Sequence, residues 1–405
     1  MQLEAQTIKY PKTSHNLIGN AKLIAPILRA EVSNAEKQRH LTDKTVETIK
    51  EAGLYRMLIP KSLGGIEADP LTVIQVIEEI SYNHGAAGWC FLNSVAQTAV
   101  AGAFLGDDAV AELFGNTVDL VVAGSGAFYR GQAVQEADKY LINGNYSYGS
   151  GITHANYVFC GVTVMDGDRP RQLPNGCPEQ RLFYFPRNAI TVDDNWQVLG
   201  LQGTGSFDFS VTNLYQLETF SFLINESHPK RGGGLYTLGM PGLLSLVHAG
   251  FALGVGRRAL DELAAIAVGK EESSKFITNS PSFQERFALN EAKMRSARSF
   301  SFEIWNDVFS TLERGSVASS QQIVLSQLNM RYVHEVAFEV CTFAYRASDA
   351  VALRESALQQ CYRDMSAAVH HKYVFSDQIL QNCGKNLLEF VVNPDITTYP
   401  DFCQH

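Results

Sequence analysis

The run from Arg363 to His371, Arg-Asp-Met-Ser-Ala-Ala-Val-His-His, carries side chains that are able to do chemistry. An imidazole titrates near neutral pH and can donate a hydrogen bond or a proton to a bound reactant. His371 is our candidate for this role, and His370 is its rival. His370 has a local partner in Ser366, four residues earlier, which favours His371. Asp364, seven residues before His371 on the same predicted helix, is expected to anchor the helix rather than contact the imidazole.

A second set of candidates lies in the segment from Tyr146 to Tyr157, which reads Tyr-Ser-Tyr-Gly-Ser-Gly-Ile-Thr-His-Ala-Asn-Tyr. Ser150 supplies a hydroxyl that can hold a ligand, although serines also cap strand ends and turns. We interpret His154 as structural. The stretch Leu199-Gly-Leu-Gln-Gly-Thr-Gly-Ser206 adds two more hydroxyls but lacks the strand-to-helix context of a dinucleotide fingerprint. Its glycines are also consistent with strand bulges.

Composition narrows the class of protein. The chain has 405 residues, is 45% hydrophobic and 19% charged, and carries a formal charge of -9. Because nucleic acids and anionic membranes select a concentrated basic face, this balance argues against both and favours a neutral organic substrate. Neither a GxxxxGK[ST] loop nor an HExxH helix occurs, and the histidines do not cluster with acidic or cysteine residues at metal spacing, so no metal site is predicted.

Cysteine usage and the N-terminus predict a cytoplasmic protein. The seven cysteines are scattered and form no CxxC pair, which is typical of a reducing compartment. The first residues lack the basic start and apolar stretch of a signal peptide. The longest apolar passage, Met240 to Gly256, falls short of the roughly 20 residues that span a bilayer and predicts a buried helix.

The pattern along the chain divides it into three blocks. Residues 1–116 show helical spacing of apolar side chains, and residues 229–405 are helical again. Residues 117–228 contain short β-rich runs, and the pair Asn143-Gly144 predicts a hairpin turn. Strands grouped between two helical blocks indicate an α+β fold rather than alternating βαβ units. The β-rich runs are Tyr157 to Val164, Arg181 to Phe185 and Phe207 to Val211.

Four stretches in this order, Gly53-Leu-Tyr-Arg-Met-Leu-Ile-Pro60, Gly88-Trp89, Trp196 to Ser206 and Arg363-Asp364, resemble landmarks of the acyl-CoA dehydrogenase superfamily. The resemblance covers nearly the whole chain. It implies an acyl-CoA dehydrogenase-like fold with an N-terminal helical domain, a middle β-domain and a C-terminal helical bundle. It also implies a flavin held between the β-domain and the bundle, in a homotetramer or homodimer.

Within this superfamily, dehydrogenases take an α-proton from the substrate with a glutamate. The two positions for that glutamate hold Lys372 and Leu244 here, so neither supplies a base. The chain is more similar to the group D two-component flavin-dependent monooxygenases, which carry a histidine eight residues after the arginine of the Arg-Asp pair, His371 here. They also carry a Ser-Gly followed by His-Ala, which corresponds to Ser150-Gly151 and His154-Ala155.

The resemblance implies specific roles for these residues. Reduced flavin and O2 form a C4a-(hydro)peroxyflavin, which collapses unless fixed hydrogen bonds hold it in a desolvated site. Ser150 near the ring nitrogen and His371 near the peroxide are the implied catalytic residues. The implied cofactor-binding residues are Tyr148, Ser150, Gly151, Thr204 and Ser206. Trp89, Gln97 and His370 are candidates for the substrate pocket, although a core position is slightly favoured for Trp89.

Gln97 and Ser348-Asp349 depart from the monooxygenase pattern. Gln97 stands where several aromatic hydroxylases place a substrate-binding histidine, which weakens the case for a phenolic substrate. Ser348-Asp349 replaces a Gly-Gly, which suggests rearranged flavin-phosphate contacts.

The sequence therefore predicts the oxygenase component of a two-component flavin-dependent monooxygenase. It receives reduced FMN, favoured over FAD, from a separate NAD(P)H-dependent flavin reductase. It oxygenates a mainly apolar organic substrate, for which aromatic and natural-product compounds are candidates. The alternatives are an acyl-CoA dehydrogenase or oxidase that uses FAD and an unidentified base, and a non-catalytic relative.

Overall fold

The computed structural model describes residues 16–115, 117, 119–269 and 278–392. Helices come first, a sheet follows and helices return, so the predicted α+β order of three blocks is confirmed. The domain boundaries at residues 116 and 228 stay predictions.

The first helical block positions Trp89 on a helix that is enclosed by its neighbours. Asp69 caps the helix before it, because its carboxylate accepts from the backbone N–H of Thr72 at 2.9 Å. His84 then caps the Trp89 helix, which is buried along nearly its whole length. The helices of this block are α1 (Leu17–Gln38), α2 (Asp43–Glu51), α3 (Pro70–Asn83), α4 (Gly85–Phe104) and α5 (Asp107–Phe114).

The middle block is one sheet that contains all three predicted β-rich runs. Its strand order is β7-β8-β3-β2-β4-β6-β9, with β1 and β5 paired to β4. Phe207, Phe209 and Val211 of β8 are buried and alternate with half-buried residues, as expected of a strand with one face on the core. The strands are β1 (Val122–Ser125), β2 (Gly131–Glu136), β3 (Lys139–Gly149), β4 (Tyr157–Asp166), β5 (Arg169–Pro170), β6 (Gln180–Pro186), β7 (Thr191–Asp193), β8 (Phe207–Leu217) and β9 (Ser221–Leu223).

The hairpin turn predicted at Asn143-Gly144 is wrong. Both residues lie within β3, where Gly144 pairs with Gly131 of β2. The register against β8 shifts between Ile142 and Gly144, so the pair marks a bulge rather than a turn. The connection from β2 to β3 instead runs through Ala137, which takes a left-handed φ of 56°.

The second helical block is built around its first helix, which is the buried helix predicted from Met240 to Gly256. The segment Gly234–Gly269 is long and apolar enough to cross a membrane, but 83% of its apolar window is buried inside the protein. A Cβ at Gly254 would lie 2.3 Å from the Glu78 carbonyl oxygen, so the helix packs closely on α3. The helices of this block are α6 (Gly239–Gly269), α7 (Pro281–Glu313), α8 (Ser320–Ala347), α9 (Ala357–Ala368) and α10 (Asp377–Val392).

Candidate active site

Three hydroxyl side chains from the β-domain form a chain of hydrogen bonds, which we call the hydroxyl chain: Ser150, Ser206 and Thr204. Ser150 Oγ lies 2.7 Å from Ser206 Oγ, which lies 2.6 Å from Thr204 Oγ1. Thr204 Oγ1 donates its hydrogen to the carbonyl of Leu201 at 2.8 Å. The structure thus brings together three of the cofactor-binding candidates.

The hydroxyl chain has a direction. The hydrogen of Thr204 goes to a carbonyl, which can only accept, so Ser206 must donate to Thr204 and Ser150 must donate to Ser206. The indole Nε1–H of Trp89, which can only donate, points to Ser150 Oγ at 3.2 Å. Ser150 is therefore left with acceptor capacity alone for any further partner.

Two residues with left-handed backbone angles shape the turn that carries Ser150. Tyr148 takes a left-handed φ of 69° and Gly151 one of 77° at the end of β3. The Gly151 N–H donates to the Thr204 carbonyl at 2.8 Å, which ties the turn to the glycine-rich stretch. The Tyr148 ring is 71% exposed and lies edge-on to Trp196, with ring centroids 6.2 Å apart. The Tyr148 ring is therefore largely open to solvent, two residues before Ser150.

Three histidine rings from the C-terminal block form a second group, which we call the imidazole cluster: His371, His248 and His334. The ring centroid of His248 lies 5.1 Å from that of His371 and 5.7 Å from that of His334. His248 belongs to α6 and His334 to α8. Within the described part of the chain, no group of three His, Cys, Asp or Glu residues is arranged to hold a metal ion.

His371 lies beyond the end of a helix rather than on it, which corrects the expectation that it lies on the same helix as Asp364. Helix α9 ends at Ala368, and the His371 N–H donates to the Ala368 carbonyl at 3.0 Å in the turn that follows. The turn directs the imidazole toward Trp89 and His248.

Burial keeps all three imidazoles uncharged near pH 7. Loss of hydration lowers the pKa of His371 to about 4. The same cause lowers the pKa of His334 to about 4, although its hydrogen bond to the Met330 carbonyl opposes the shift. Burial, reinforced by repulsion from His371 and His334, holds the pKa of His248 well below its usual range.

The imidazole cluster contains ring nitrogens that have no hydrogen-bond partner among the described residues. These buried atoms are both ring nitrogens of His248, Nε2 of His334 and Nδ1 of His371. His334 Nδ1 donates to the Met330 carbonyl at 2.9 Å, so its Nε2 is an acceptor in the neutral ring. A buried polar group without a partner is unfavourable, and such atoms commonly mark a site that binds something.

Trp89 joins the two groups. Its indole N–H donates to Ser150, while its ring lies edge-on to His371 at 5.5 Å, to His248 at 5.3 Å and to Phe251 at 4.9 Å between centroids. The residue is only 5% exposed, so it belongs to the core, and its place in a substrate pocket stays a prediction. Ser150 and His371 thus both contact one buried indole.

Arg363 and Asp364 fix the loop that leads into the hydroxyl chain. Asp364 Oδ1 accepts from the Leu201 N–H at 2.6 Å, and Arg363 pairs with Glu36 at 2.9 Å. Burial raises the pKa of Asp364 to about 7, against the opposing effect of the Leu201 hydrogen bond. The prediction that Asp364 anchors its helix rather than contacts His371 is confirmed.

The structure keeps two histidines and Gln97 away from this centre. His370 is exposed, and the Ser366 hydroxyl donates to the Tyr362 carbonyl at 2.6 Å rather than to His370. His154 Nε2 lies 2.7 Å from the Leu41 carbonyl, where it fastens the β-domain to the N-terminal block. Gln97 is buried on α4 about two turns after Trp89, and its amide contacts Tyr184 and Met240.

His248 and His334 are the members of the cluster that sequence reasoning missed as site residues. His248 interrupts the apolar passage of α6, which is the one signal that could have drawn attention to it. His334 has no comparable signal, because it lies in a stretch of α8 that mixes apolar and polar residues.

The residues present fit a flavin. A serine hydroxyl limited to accepting and a buried unpartnered imidazole nitrogen both lie beside Trp89, where the β-domain meets the bundle. Tyr148, Ser150 and Gly151 would contact the ring system from the sheet side. Thr204 and Ser206 would act through Ser150, because their hydroxyls are already engaged.

Comparisons with known proteins agree with this geometry. The chain matches the families described as "Acyl-CoA dehydrogenase, N-terminal domain" over residues 21–111 and "Acyl-CoA dehydrogenase, C-terminal domain" over residues 246–375. It is 30% identical to an indole-3-acetate monooxygenase of Pseudomonas putida, over 88% of this chain and 89% of that protein. It is 28% identical to the flavin-dependent monooxygenase oxygenase subunit HsaA of Rhodococcus jostii, over 47% of this chain and 48% of that protein.

A solved structure extends the similarity to the whole fold. The dibenzothiophene monooxygenase TdsC of Paenibacillus sp. A11-2, in complex with FMN and indole, superimposes with a TM-score of 0.79 at 19% identity. The match covers 96% of this chain and 100% of that one. Both dehydrogenase-type domains are present, and the near full-length relative is a monooxygenase. The chain therefore belongs to the acyl-CoA dehydrogenase superfamily, in its branch of flavin-dependent monooxygenases.

Proposed function

We propose that this monooxygenase is the oxygenase component of a two-component system, which uses reduced flavin and O2 to oxygenate a mainly apolar aromatic substrate. The observation that carries the proposal is the convergence of Ser150 and His371 on Trp89, at a place where a dehydrogenase needs a carboxylate. The reduced flavin would supply the electrons that activate O2. The protein would supply orientation, exclusion of water and hydrogen bonds.

Ser150 is suited to a flavin that arrives reduced. Its own hydrogen goes to Ser206, so it offers a lone pair to the next partner. The central ring nitrogen next to the reactive carbon carries a hydrogen only in reduced flavin, and that N–H can donate to Ser150. Oxidised flavin presents a lone pair at the same atom, which Ser150 Oγ would repel. The direction of the hydroxyl chain therefore favours the reduced form.

His371 is suited to hold bound oxygen rather than to abstract a proton from carbon. Its pKa is lowered by burial, with no neighbouring carboxylate to raise it. A neutral imidazole retains one N–H, which can donate to an oxygen atom and stabilise charge that develops there. We assign it this role through the buried Nδ1, which lacks a partner within the described residues.

The dehydrogenase alternative lacks a base at both positions that the superfamily uses. Leu244 is an aliphatic side chain that is 8% exposed. Lys372 points its ammonium at the ring of Tyr129, 4.9 Å from the centroid. Neither side chain can remove a proton from a thioester substrate.

The relatives support the remaining parts of the proposal. The Rhodococcus relative is named an oxygenase subunit, which fits a separate NAD(P)H-dependent flavin reductase as partner for this chain. The TdsC structure holds FMN and indole, which favours FMN over FAD and an aromatic substrate here. We extend the proposal to a cytoplasmic homotetramer, with a homodimer as the alternative.

Anaerobic titration with FMN and FAD in both redox states tests the proposal. We expect colourless purified protein that binds reduced FMN more tightly than oxidised FMN, because of the acceptor-only Ser150. Tightly bound oxidised FAD that an acyl-CoA thioester bleaches without a reductase would instead identify a dehydrogenase. A protein with no measurable affinity for any reduced flavin would be a non-catalytic relative.

A further inference from the structure

A cavity of about 320 Å³ lies among α1, α3, α4, α6 and α9, and we call it the helical cavity. None of the described residues that line it belongs to the hydroxyl chain or to the imidazole cluster. Its volume is at the lower end of the range for small-molecule sites, so it suits a small ligand. The lining residues that bear on its chemistry are Arg29, Ser81, His84, Glu355, Gln360 and Asp364.

Three of these residues carry buried polar atoms that have no hydrogen-bond partner among the described residues: Ser81 Oγ, His84 Nε2 and Gln360 Nε2. Ser81 is 2% exposed and His84 is 1% exposed. Burial lowers the pKa of His84 to about 4, so its ring is neutral at pH 7. The Ala87 N–H donates to His84 Nδ1 at 3.4 Å, so the ring hydrogen is on Nε2. Because His84 Nε2 and Gln360 Nε2 can only donate, the helical cavity calls for a ligand with acceptor oxygens.

Arg29 adds positive charge that no neighbouring carboxylate neutralises. Its Nε–H donates to Asn83 Oδ1, and its guanidinium lies over the Tyr82 ring, 5.7 Å from the centroid. Both partners are uncharged, and Arg29 forms no ion pair within the described part of the chain. Since Asn83 directly precedes His84, this hydrogen bond holds the guanidinium close to the buried donors. The other arginines of the helical cavity are paired with carboxylates, Arg258 with Glu262 and Arg363 with Glu36.

Two carboxyl groups limit the negative charge that the helical cavity can accept. Glu355 is exposed and forms no ion pair with the residues that the structure describes. Asp364 is buried, and its Oδ1 accepts from the Leu201 N–H. Like charges repel one another, so one unpaired guanidinium beside these groups favours a ligand with a single negative charge. A carboxylate meets this condition better than a doubly charged phosphate.

We propose that the helical cavity binds a small polar molecule with one carboxylate, at a site outside the flavin site. The carboxylate pairs with Arg29 and accepts hydrogen bonds from His84 Nε2–H and Gln360 Nε2–H. The Ser81 hydroxyl meets a hydroxyl or keto oxygen of the same molecule. Arginine forms strong, charge-assisted hydrogen bonds with carboxylates, which makes it the main source of selectivity here.

Lactate and lactamide provide a matched pair of probes, because they have nearly the same shape and differ in charge. Ligand-observed NMR titration of the full-length protein would measure both dissociation constants. We expect lactate to bind about tenfold more tightly than lactamide, the scale of a hydrogen bond to a charged group. Inorganic phosphate at pH 8, where it is mainly doubly charged, should bind more weakly than lactate. Equal affinity for lactate and lactamide, or phosphate binding as tight as that of lactate, would overturn the proposal.

Three variants locate the binding site. Arg29→Gln changes an exposed side chain and should abolish the preference through weaker binding of lactate. Lys22→Gln makes the same change of charge on α1 outside the helical cavity, and it should keep the preference. Glu355→Gln should strengthen lactate binding by roughly two- to threefold, which damage to the fold would not produce. A preference that survives in Arg29→Gln would place lactate elsewhere and overturn the proposal.

These titrations require neither flavin nor O2, so they are independent of the proposed function. If lactate binds through Arg29 but reduced FMN does not react with O2 in a protein-dependent way, the proposed function fails and the carboxylate site stands. If the oxygen reaction is normal but lactate and lactamide bind alike, the proposed function stands and the carboxylate site fails.

Discussion

The hydroxyl chain and the imidazole cluster both contact Trp89, and they are built in opposite ways. Ser150, Ser206 and Thr204 satisfy one another, and their hydrogens run in one direction to a backbone carbonyl. The imidazole cluster keeps four ring nitrogens without partners among the described residues. A hydrogen-bond network that is already satisfied holds a ligand in one fixed orientation, whereas ring nitrogens without partners remain available to bind ligand atoms. We infer that the sheet side orients the cofactor and the helical side receives oxygen and substrate.

The largest effect expected from this difference follows removal of the His371 imidazole, which lies beside the indole. His371→Ala should lower the yield of oxygenated product per reduced flavin by on the order of 100-fold, the usual scale for a lost donor or acid at a reacting centre. Hydrogen peroxide should replace the lost product, mole for mole, because reduced flavin still reacts with O2. Product and peroxide are measured together under reductase turnover. His370→Ala is the matched control, and an equal loss of coupling in that variant would show that the wrong histidine has been assigned.

The uncharged state of the imidazole cluster predicts acid sensitivity. A histidine whose pKa falls from 6.5 unfolded to about 4 folded binds fewer protons in the native state between these values. The free energy of unfolding must therefore fall as pH is lowered from 6.5 toward 4. For His334 alone the loss between pH 7 and pH 5 is about 2 kcal/mol.

Urea unfolding of the wild type and of His334→Gln at these two pH values measures this contribution. The glutamine variant should lose about 2 kcal/mol less stability than the wild type, since all other groups titrate alike in both proteins. Asp364, whose pKa is raised to about 7, has the opposite effect: its contribution to the free energy of unfolding falls as pH rises toward 7. Parallel losses in the two proteins would show that His334 is not held uncharged.

The sheet side is probed by a smaller change. Ser150→Ala removes one acceptor, so its preference for reduced over oxidised FMN should fall by about tenfold. Anaerobic fluorescence titration gives both dissociation constants. An unchanged ratio would mean that Ser150 does not contact the nitrogen that distinguishes the two redox states.

The smallest expected effect tests the direction of the hydroxyl chain. Ser206→Ala frees the Ser150 hydrogen, which can then donate to oxidised flavin, so the same preference should shrink by roughly two- to threefold. Oxidised FMN should bind more tightly than it does to the wild type, which loss of packing would not produce. Weaker binding of both redox states by the same factor would argue against a directional chain.

Local sequence patterns predict much of this architecture. The three β-rich runs became β4, β6 and β8, and the apolar passage from Met240 became the buried helix α6. The Asn143-Gly144 prediction failed because pairing with both β2 and β8 outweighs the local preference of that dipeptide for a turn.

Long-range packing determines the parts of the site that local sequence patterns do not predict. The contact between Trp89 and His248 joins residues 159 positions apart and depends on how α4 crosses α6. The position of His371 depends on the end of α9 at Ala368, where Val369 keeps ordinary helical backbone angles and neither glycine nor proline marks the end. The hydrogen direction in the hydroxyl chain needs Thr204 and Leu201 placed together, which spacing alone cannot predict.

One rapid-mixing measurement tests the central claim most directly. Protein loaded with reduced FMN is mixed with O2, and the near-ultraviolet absorbance of the oxygen adduct is followed beside the return of oxidised flavin. The two-sided site predicts an adduct that lasts much longer than with free FMN, and that decays faster in both Ser150→Ala and His371→Ala. A wild-type protein in which flavin is reoxidised in a single step at the rate of free FMN would contradict the account.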